Sequence, residues 1–194
     1  MMMTGKTRIL LICPTLVFLV GMYHLGLPPA GAREQVGLLT VIGMVKVNGK
    51  PAAAGDIVAS GSAVQTAKGS SADVSLGELG RVEVLPSTTM KLRYDETNTT
   101  HTLASVAILL GEGSVRASSA EGIVFNVESG MTVTRSSLPS QNVFTVDATC
   151  GVALVSVTKG KVELGVGNSV KQIAAGGRDT AGHAKAGCIP SHNP

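Results

Sequence analysis

Gly43-Met44-Val45-Lys46-Val47-Asn48-Gly49 is the stretch that decides the fold class of this 194-residue chain. Apolar and polar side chains alternate from Val45 to Val47, which is the period of a β-strand with one buried and one exposed face. The strand pattern runs directly into Asn48-Gly49, a dipeptide strongly typical of a two-residue hairpin turn. This segment therefore predicts a β-hairpin.

The same alternation recurs along the rest of the chain as short runs separated by Gly, Ser, Pro and Asn. The continuous apolar run 102–110 is ambiguous, because its length suits a buried strand as well as a helix. We predict an all-β domain whose many short strands and hairpins form a β-sandwich or an irregular solenoid-like β-roll. The runs are 72–76, 81–84, 90–93, 123–127, 131–134, 143–146, 152–157 and 161–164.

A short pattern of Gly, any residue, Val, a charged residue and an apolar residue occurs four times. It predicts a strand that starts at a glycine bend and has one apolar and one charged face. The spacing between copies is too uneven for a strict solenoid, so we expect repeated hairpin units in one β-body. The four copies begin at Gly43, Gly80, Gly113 and Gly160.

The composition narrows the classes of function. Sixteen Lys and Arg against thirteen Asp and Glu give a net charge of +3, and 44 % of the residues are apolar. No basic cluster suitable for nucleic acid is present, and such an apolar content argues against disorder. The chain has no Trp, three Phe and two Tyr. We expect Phe125 and Phe144 in the core and Tyr94 beside the loop 94–101, which also carries Asp95 and Glu96. With so few exposed rings, a surface that stacks on sugars or bases is hard to build.

The N-terminus has the pattern of an export signal. Lys6 and Arg8 precede an apolar run at 9–20, and the small residues Ala30-Gly31-Ala32 follow Pro28-Pro29. This order predicts a secretory signal over 1–32 with Ala30 and Ala32 at the cleavage site. The alternative is an uncleaved inner-membrane anchor at 9–27, which is just long enough to span a bilayer. In both cases residues 33–194 face a non-cytoplasmic space.

The cysteines agree with export. Cys13 lies in the signal segment, which leaves Cys150 and Cys188 for the exported part. Two cysteines in an oxidising compartment favour a disulfide that ties down the polar tail 183–194. Alternatively, Cys188 together with His183 and His192 binds a soft metal, or Cys188 acts as the nucleophile of a thiol enzyme. The sequence contains no nucleophile-elbow or phosphate-loop motif, and no cofactor is expected.

Taken in order, the motifs of residues 36–182 resemble a FecR-type domain, the periplasmic module named after the iron-dicitrate regulator. Its turns correspond to Asn48-Gly49, Gly55-Asp56 and Gly61-Ser62. Later strands of the family correspond to 109–116, 155–164 and 171–180. The matching N-terminal segments are Val45-Lys46-Val47-Asn48-Gly49-Lys50-Pro51-Ala52, Ala54-Gly55-Asp56, Gly61-Ser62-Ala63-Val64-Gln65-Thr66 and Gly69-Ser70-Ser71-Ala72-Asp73-Val74-Ser75-Leu76.

The resemblance implies an exported, bacterial, all-β domain over 33–182 that contacts an envelope protein. The best-known members control sigma factors through a cytoplasmic domain, whereas fewer than a dozen residues precede the apolar run here. We therefore expect a non-catalytic periplasmic sensor, adaptor or envelope scaffold without the direct anti-sigma role. The alternative is a cell-wall or carbohydrate-associated binding protein, and the remotest is an envelope thiol enzyme that uses Cys188.

Overall fold

The computed structural model describes residues 36–96 and 103–188, and within these ranges the chain is built from β-strands with one 3₁₀ turn. The predicted all-β fold class is confirmed. The predicted signal segment 1–32, with Ala30 and Ala32, lies outside the described residues, as do 97–102 and His192. The strands are β1 (Val36–Ile42), β2 (Val45–Val47), β3 (Lys50–Pro51), β4 (Ile57–Ala59), β5 (Ala63–Thr66), β6 (Ser71–Ser75), β7 (Gly80–Val84), β8 (Thr89–Glu96), β9 (Leu103–Ser119), β10 (Val124–Ser129), β11 (Thr132–Ser136), β12 (Asn142–Thr149), β13 (Val152–Lys159), β14 (Lys161–Val166), β15 (Ser169–Ala174) and β16 (Arg178–Gly182).

The strands form two sheets. Sheet 1 has the order β4-β1-β6-β7-β9-β12-β13-β16, and sheet 2 has the order β3-β2-β5-β8-β9-β10-β11-β14-β15. Neighbouring strands are antiparallel except β9 and β10, which are parallel. Inward side chains from both sheets form one hydrophobic cluster. Of the two predicted architectures, this arrangement corresponds to the β-sandwich.

Strand β9 belongs to both sheets. Its first part, up to Glu112, pairs with β8 and β10 in sheet 2, and its second part, from Gly113, pairs with β7 and β12 in sheet 1. Gly113 has a φ of +98°, and a Cβ there would overlap Thr88. The strand therefore changes sheet at a position where only glycine fits without strain.

The core is aliphatic apart from three rings. Phe125 and Phe144 are fully buried, as predicted, among Val, Leu, Ile and Ala from both sheets. Tyr94 is a correction, because it is not a loop residue: β8 continues to Glu96, and the Tyr94 side chain is only 9 % exposed. The alternation in β8 continued beyond the apolar run that the sequence showed, which is why the strand end was placed too early.

The repeated glycine pattern has the predicted faces. The Val of each copy is buried, and each of the four glycines has a positive φ. In three copies the residue after glycine donates its backbone N–H to a buried polar side chain: Met44 to Ser70, Ser114 to Thr88, and Lys161 to Asn142. The copy at Gly113 does not begin a hairpin unit, since it lies inside β9.

Two further expectations about strands are settled by the sheet pairing. The ambiguous run 102–110 belongs to β9 over its described part, so it is a strand and not a helix. The segment 171–180, predicted as one terminal strand, is two strands: β15 pairs with β14 in sheet 2, and β16 pairs with β13 in sheet 1. Gly176 and Gly177 turn the chain between them.

Candidate functional site

The three turns singled out by the sequence, at 48–49, 55–56 and 61–62, connect the first strands of the described domain. Asn48 and Gly49 both have positive φ, as a two-residue hairpin turn requires. The Asn48 Oδ1 accepts the Ala63 N–H at 2.9 Å, and its Nδ2 lies 3.5 Å from the Ser62 hydroxyl. These contacts fix the β2–β3 hairpin to the beginning of β5, which is a structural role.

The other motif turns also serve the framework. The Gly55 N–H donates to the carbonyl of Leu39, and the carbonyl of Asp56 accepts the Leu39 N–H. The Asp56 carboxylate accepts the Ala53 N–H at 2.9 Å within its own turn. The Gly61 N–H donates to the carbonyl of Leu92 in β8. The structure thus places these motif residues in turns that connect strands.

Cys150 and Cys188 form a disulfide with their Cα atoms 5.6 Å apart. Cys150 lies in the tight turn between β12 and β13, and its carbonyl also accepts the N–H of Lys185. The described tail after β16 is thereby fixed to this turn. In this oxidised form the Cys188 sulfur is not available as a nucleophile or a metal ligand, and the described residues contain no cluster of three metal-ligating side chains.

A cavity of about 620 Å³ opens on the outer face of sheet 2, between the loop 137–141 and the beginning of β14. Its lining is mainly polar and carries both signs of charge. No motif in the sequence predicts this cavity. The lining residues are Val124, Arg135, Ser136, Ser137, Leu138, Ser140, Asn142, Gly160, Lys161, Glu163 and Gln172.

The buried side chain of Asn142 holds the two walls of this cleft in place. Its side chain is completely buried, and its Nδ2 donates to the carbonyls of Ser137 at 2.8 Å and Ser140 at 2.6 Å. Its Oδ1 accepts the N–H of Lys161 at 2.8 Å. One side chain therefore holds both the loop and the first residue of β14. A Cβ at Gly160, which has a φ of +80°, would overlap the Asn142 amide, so glycine is required beside it.

The cleft contains polar groups that the protein itself does not satisfy. Lys161 and Glu163 have no ion-pair partner among the described residues, although Glu163 is the cross-strand neighbour of Arg135. Arg135 uses its Nε to bond Asn126 Oδ1 at 3.0 Å. The Ser137 hydroxyl is buried and has no hydrogen-bond partner among the described residues. Buried polar atoms are normally bonded, so this hydroxyl beside the cavity is an exception.

A second cavity of about 300 Å³ continues the cleft and shares Arg135 and Glu163 with it. Its other walls are apolar. Val133, Gly165 and Val170 are cross-strand neighbours on β11, β14 and β15, so Gly165 leaves a notch between two valines. Met131 and Val170 are exposed by 70 % and 64 %. The two cavities form one groove, called the sheet 2 groove below, with a charged part and an apolar part.

A separate apolar surface lies at the β4 edge of sheet 1. Leu38 and Ile57 face each other across β1 and β4 and are exposed by 56 % and 62 %. Ile42, at the other end of β1, and Met44, after the bend at Gly43, are also exposed. Contiguous exposed apolar side chains often mark a contact surface for a partner.

Edge strand β4 differs from the other edges of the described sheets. Strand β3 contains Lys50 and Pro51, which both discourage strand pairing. Strands β15 and β16 are joined by the ion pair of Lys171 with Asp179, at 3.0 Å. Strand β4 reads Ile57-Val58-Ala59 and carries neither a charge nor a proline. It is the described edge most open to pairing with another strand.

Sequence reasoning could have found part of the sheet 2 groove. Lys161 and Glu163 belong to the fourth copy of the repeated pattern, which was interpreted only as a strand with a charged face. Asn142 gave no signal, because a single Asn before a strand is ordinary loop composition. Ser137 gave none either, since its orphan state is visible only in three dimensions.

Comparisons with known proteins give a fold likeness. The sequence matches no family profile and no curated protein. Two crystal structures of a proposed anti-sigma factor from Parabacteroides distasonis, at 1.65 and 2.50 Å resolution, are similar in fold with TM-scores of 0.51. They are 20 % and 19 % identical over 66 % of this chain, and the chain spans 57 % of their length. Within the described residues, no helix is long and apolar enough to span a membrane.

Proposed function

We propose that this chain is an exported, non-catalytic, FecR-like interaction domain that acts as a periplasmic sensor, adaptor or envelope scaffold. The observation that carries the proposal is the unguarded strand β4 beside the exposed pair Leu38 and Ile57. An extended strand of an envelope protein would pair with the outer edge of β4 and place an apolar side chain next to Ile57. The fold likeness to a proposed anti-sigma factor supports a regulatory context.

Export is part of the proposal. The N-terminal pattern of charge, apolar run and Ala30-Gly31-Ala32 supports a cleaved signal, and the disulfide between Cys150 and Cys188 suits an oxidising compartment. The domain would comprise 33–182, followed by the polar tail 183–194. Intact-mass measurement of the exported protein tests the cleavage site, since the proposal expects Arg33 as the first residue.

Site-specific photo-crosslinking in living cells tests the contact surface. A benzophenone amino acid replaces Ile57 in the full chain, and the matched control carries it at the exposed Lys91 on the outer face of sheet 2. We expect one discrete protein adduct from position 57 and none of that size from position 91. Equal labelling at both positions, or no adduct at position 57, would contradict contact through β4.

The cell-wall alternative predicts a different result. In that case the full chain co-sediments with purified peptidoglycan, and soluble wall fragments release it. The thiol-enzyme alternative requires a free Cys188, so alkylation of Cys188 without prior reduction would favour it. The interaction proposal expects neither retention by peptidoglycan nor alkylation of the native protein.

A further inference from the structure

We propose that the sheet 2 groove binds the free carboxyl terminus of an extended peptide. The terminal carboxylate would lie at Lys161 and Arg135, and an apolar side chain two positions earlier would fill the notch at Gly165. The inference deepens the proposed function, on which it rests, by assigning the chemistry of a second contact.

The charged part of the groove is suited to a carboxylate. The Lys161 ammonium has no partner in the described ranges, and the Arg135 guanidinium makes there only the hydrogen bond from its Nε to Asn126. Two cations at a partly enclosed surface favour an anionic group, and an arginine fork matches the two carboxylate oxygens. The orphan Ser137 hydroxyl supplies a further donor at the same place.

Glu163 explains why the ligand is a peptide terminus and not a simple anion. Its carboxylate has no partner among the described residues and would repel a small anion. A peptide presents backbone N–H groups next to its carboxylate, and Glu163 is able to accept them. Gln172, the cross-strand neighbour of Glu163, offers both a donor and an acceptor. The groove thus provides hydrogen-bond partners for the carboxylate of a peptide and for its backbone N–H groups.

The spacing of the two parts sets which residue fills the notch. Val133 is two residues from Arg135 on β11, and Gly165 is two residues from Glu163 on β14. Two residues of a strand span about 7 Å. In an extended peptide, side chains on one face repeat at the same distance. The side chain two positions before the terminus therefore reaches Val133 and Val170 when the carboxylate lies at the level of Arg135.

An acidic sugar fits these walls less well. The aromatic residues of the described part, Tyr94, Phe125 and Phe144, are all buried, so no ring is available for stacking on a sugar face. The apolar notch is instead bordered by aliphatic side chains of Val133, Val170 and Met131. Aliphatic walls with convergent polar groups at one end are characteristic of side-chain recognition in an extended peptide.

The first test uses two matched synthetic libraries of N-acetylated tetrapeptides, one with free carboxyl termini and one with carboxamides. The full chain, purified with its disulfide intact, is screened against both. We expect at least about tenfold enrichment of the free acids, with Leu, Ile, Val or Met preferred two positions before the terminus. Equal binding of acids and amides, no binding, or no preference at that position would overturn the inference.

Variants then locate the binding. Lys161→Gln should weaken the binding of an enriched free-acid peptide about tenfold and leave the binding of its carboxamide unchanged. The control is Lys46→Gln, at an exposed lysine on β2, which should change the binding of neither peptide. Gly165→Leu fills the notch. A Cβ at Gly165 makes only ordinary contacts, 3.6 Å from the Val133 carbonyl oxygen, so the backbone there accepts a side chain without overlap at Cβ. This variant should abolish the apolar preference.

Ser137→Ala separates a ligand role from a structural role. Because the Ser137 hydroxyl has no hydrogen-bond partner in the described part of the chain, its removal should leave thermal stability unchanged and weaken acid binding several-fold. A loss of stability without a change in binding would overturn the role of Ser137 and count against the groove. The photo-crosslinks from position 57 lie on the other sheet, so they persist if the groove binds nothing.

Discussion

The regions before and after β9 use buried polar side chains for different purposes. In β1–β8, the Tyr94 hydroxyl donates to the carbonyl of Val58 at 3.1 Å and accepts the N–H of Gly37, so it connects β8 of sheet 2 to the β1–β4 edge of sheet 1. In β10–β16, Asn142 bonds to a loop and to the beginning of a strand.

The difference explains why the groove lies in the second region. Tyr94 forms hydrogen bonds with backbone groups of strands that already pack against each other, so these bonds close the core. Asn142 satisfies carbonyls of a loop that runs beside the sheet, so its hydrogen bonds keep a space open above β14. A buried polar residue thus stabilises a closed core in one region and a binding cleft in the other.

Removing Asn142 should have the largest effect. Asn142→Ala leaves the carbonyls of Ser137 and Ser140 and the N–H of Lys161 without partners, and we expect a loss of about 3–5 kcal/mol in unfolding free energy. Urea unfolding measures it. Gln141→Ala, at the exposed neighbour, should cost less than about 0.5 kcal/mol. Equal effects of both substitutions would show that Asn142 does not organise the cleft.

Breaking the disulfide should have the next largest effect. It closes a separation of 38 residues, and a Cys150→Ser/Cys188→Ser double variant should lose about 2–4 kcal/mol. Reduction of the native protein should destabilise it to the same extent, and reduction of the variant should change nothing. If native and variant unfold at the same denaturant concentration, the tail does not contribute to the second region.

The Tyr94 hydroxyl predicts a pH dependence in the first region. Burial raises the pKa of Tyr94 from 10.0 to about 12, an effect partly offset by the Gly37 N–H. The contribution of Tyr94 to the free energy of unfolding should be fully present below pH 10 and be lost between pH 10 and 12. The reason is that the Tyr94 hydroxyl loses its proton at a lower pH in the unfolded chain than in the folded one. The expected loss is about 2–3 kcal/mol.

Tyr94→Phe isolates this contribution from the titration of lysines. The substitution removes the hydrogen bonds of the hydroxyl with the Val58 carbonyl and the Gly37 N–H and should cost about 1–3 kcal/mol at pH 7. Urea unfolding at pH 8, 10 and 11 compares the two proteins. The variant should show a smaller decline above pH 10, and a parallel decline in both would mean that the hydroxyl does not titrate as described.

The edge ion pair should have the smallest effect. Lys171 contacts both carboxylate oxygens of Asp179, and this hydrogen bond, with that from the Thr180 N–H, holds the pKa of Asp179 below its usual value. Because the pair is exposed, Lys171→Met should cost less than about 1 kcal/mol. The same substitution should increase self-association if the pair guards the β15 and β16 edges, which light scattering measures against Lys46→Met.

The strands and turns were largely predictable, because their signals are local. Asn48-Gly49 predicts its turn from two residues, and alternation predicts the face of each strand from four or five. The errors came where local signals end. The polar segment after Tyr94 predicts a loop where β8 continues to Glu96. The segment 171–180 predicts one strand because the glycine pair inside it is a weak break, whereas β15 and β16 are two.

The all-β fold class, the positions of the glycine turns and a cysteine pair suited to a disulfide all follow from the amino-acid sequence. The division of β9 between two sheets and the meeting of Asn142, Ser137 and Lys161 at one cleft are visible only in the folded chain. The reason is physical: turn and strand preferences depend on neighbours in the chain, whereas a cleft depends on the register of strands that are distant in sequence.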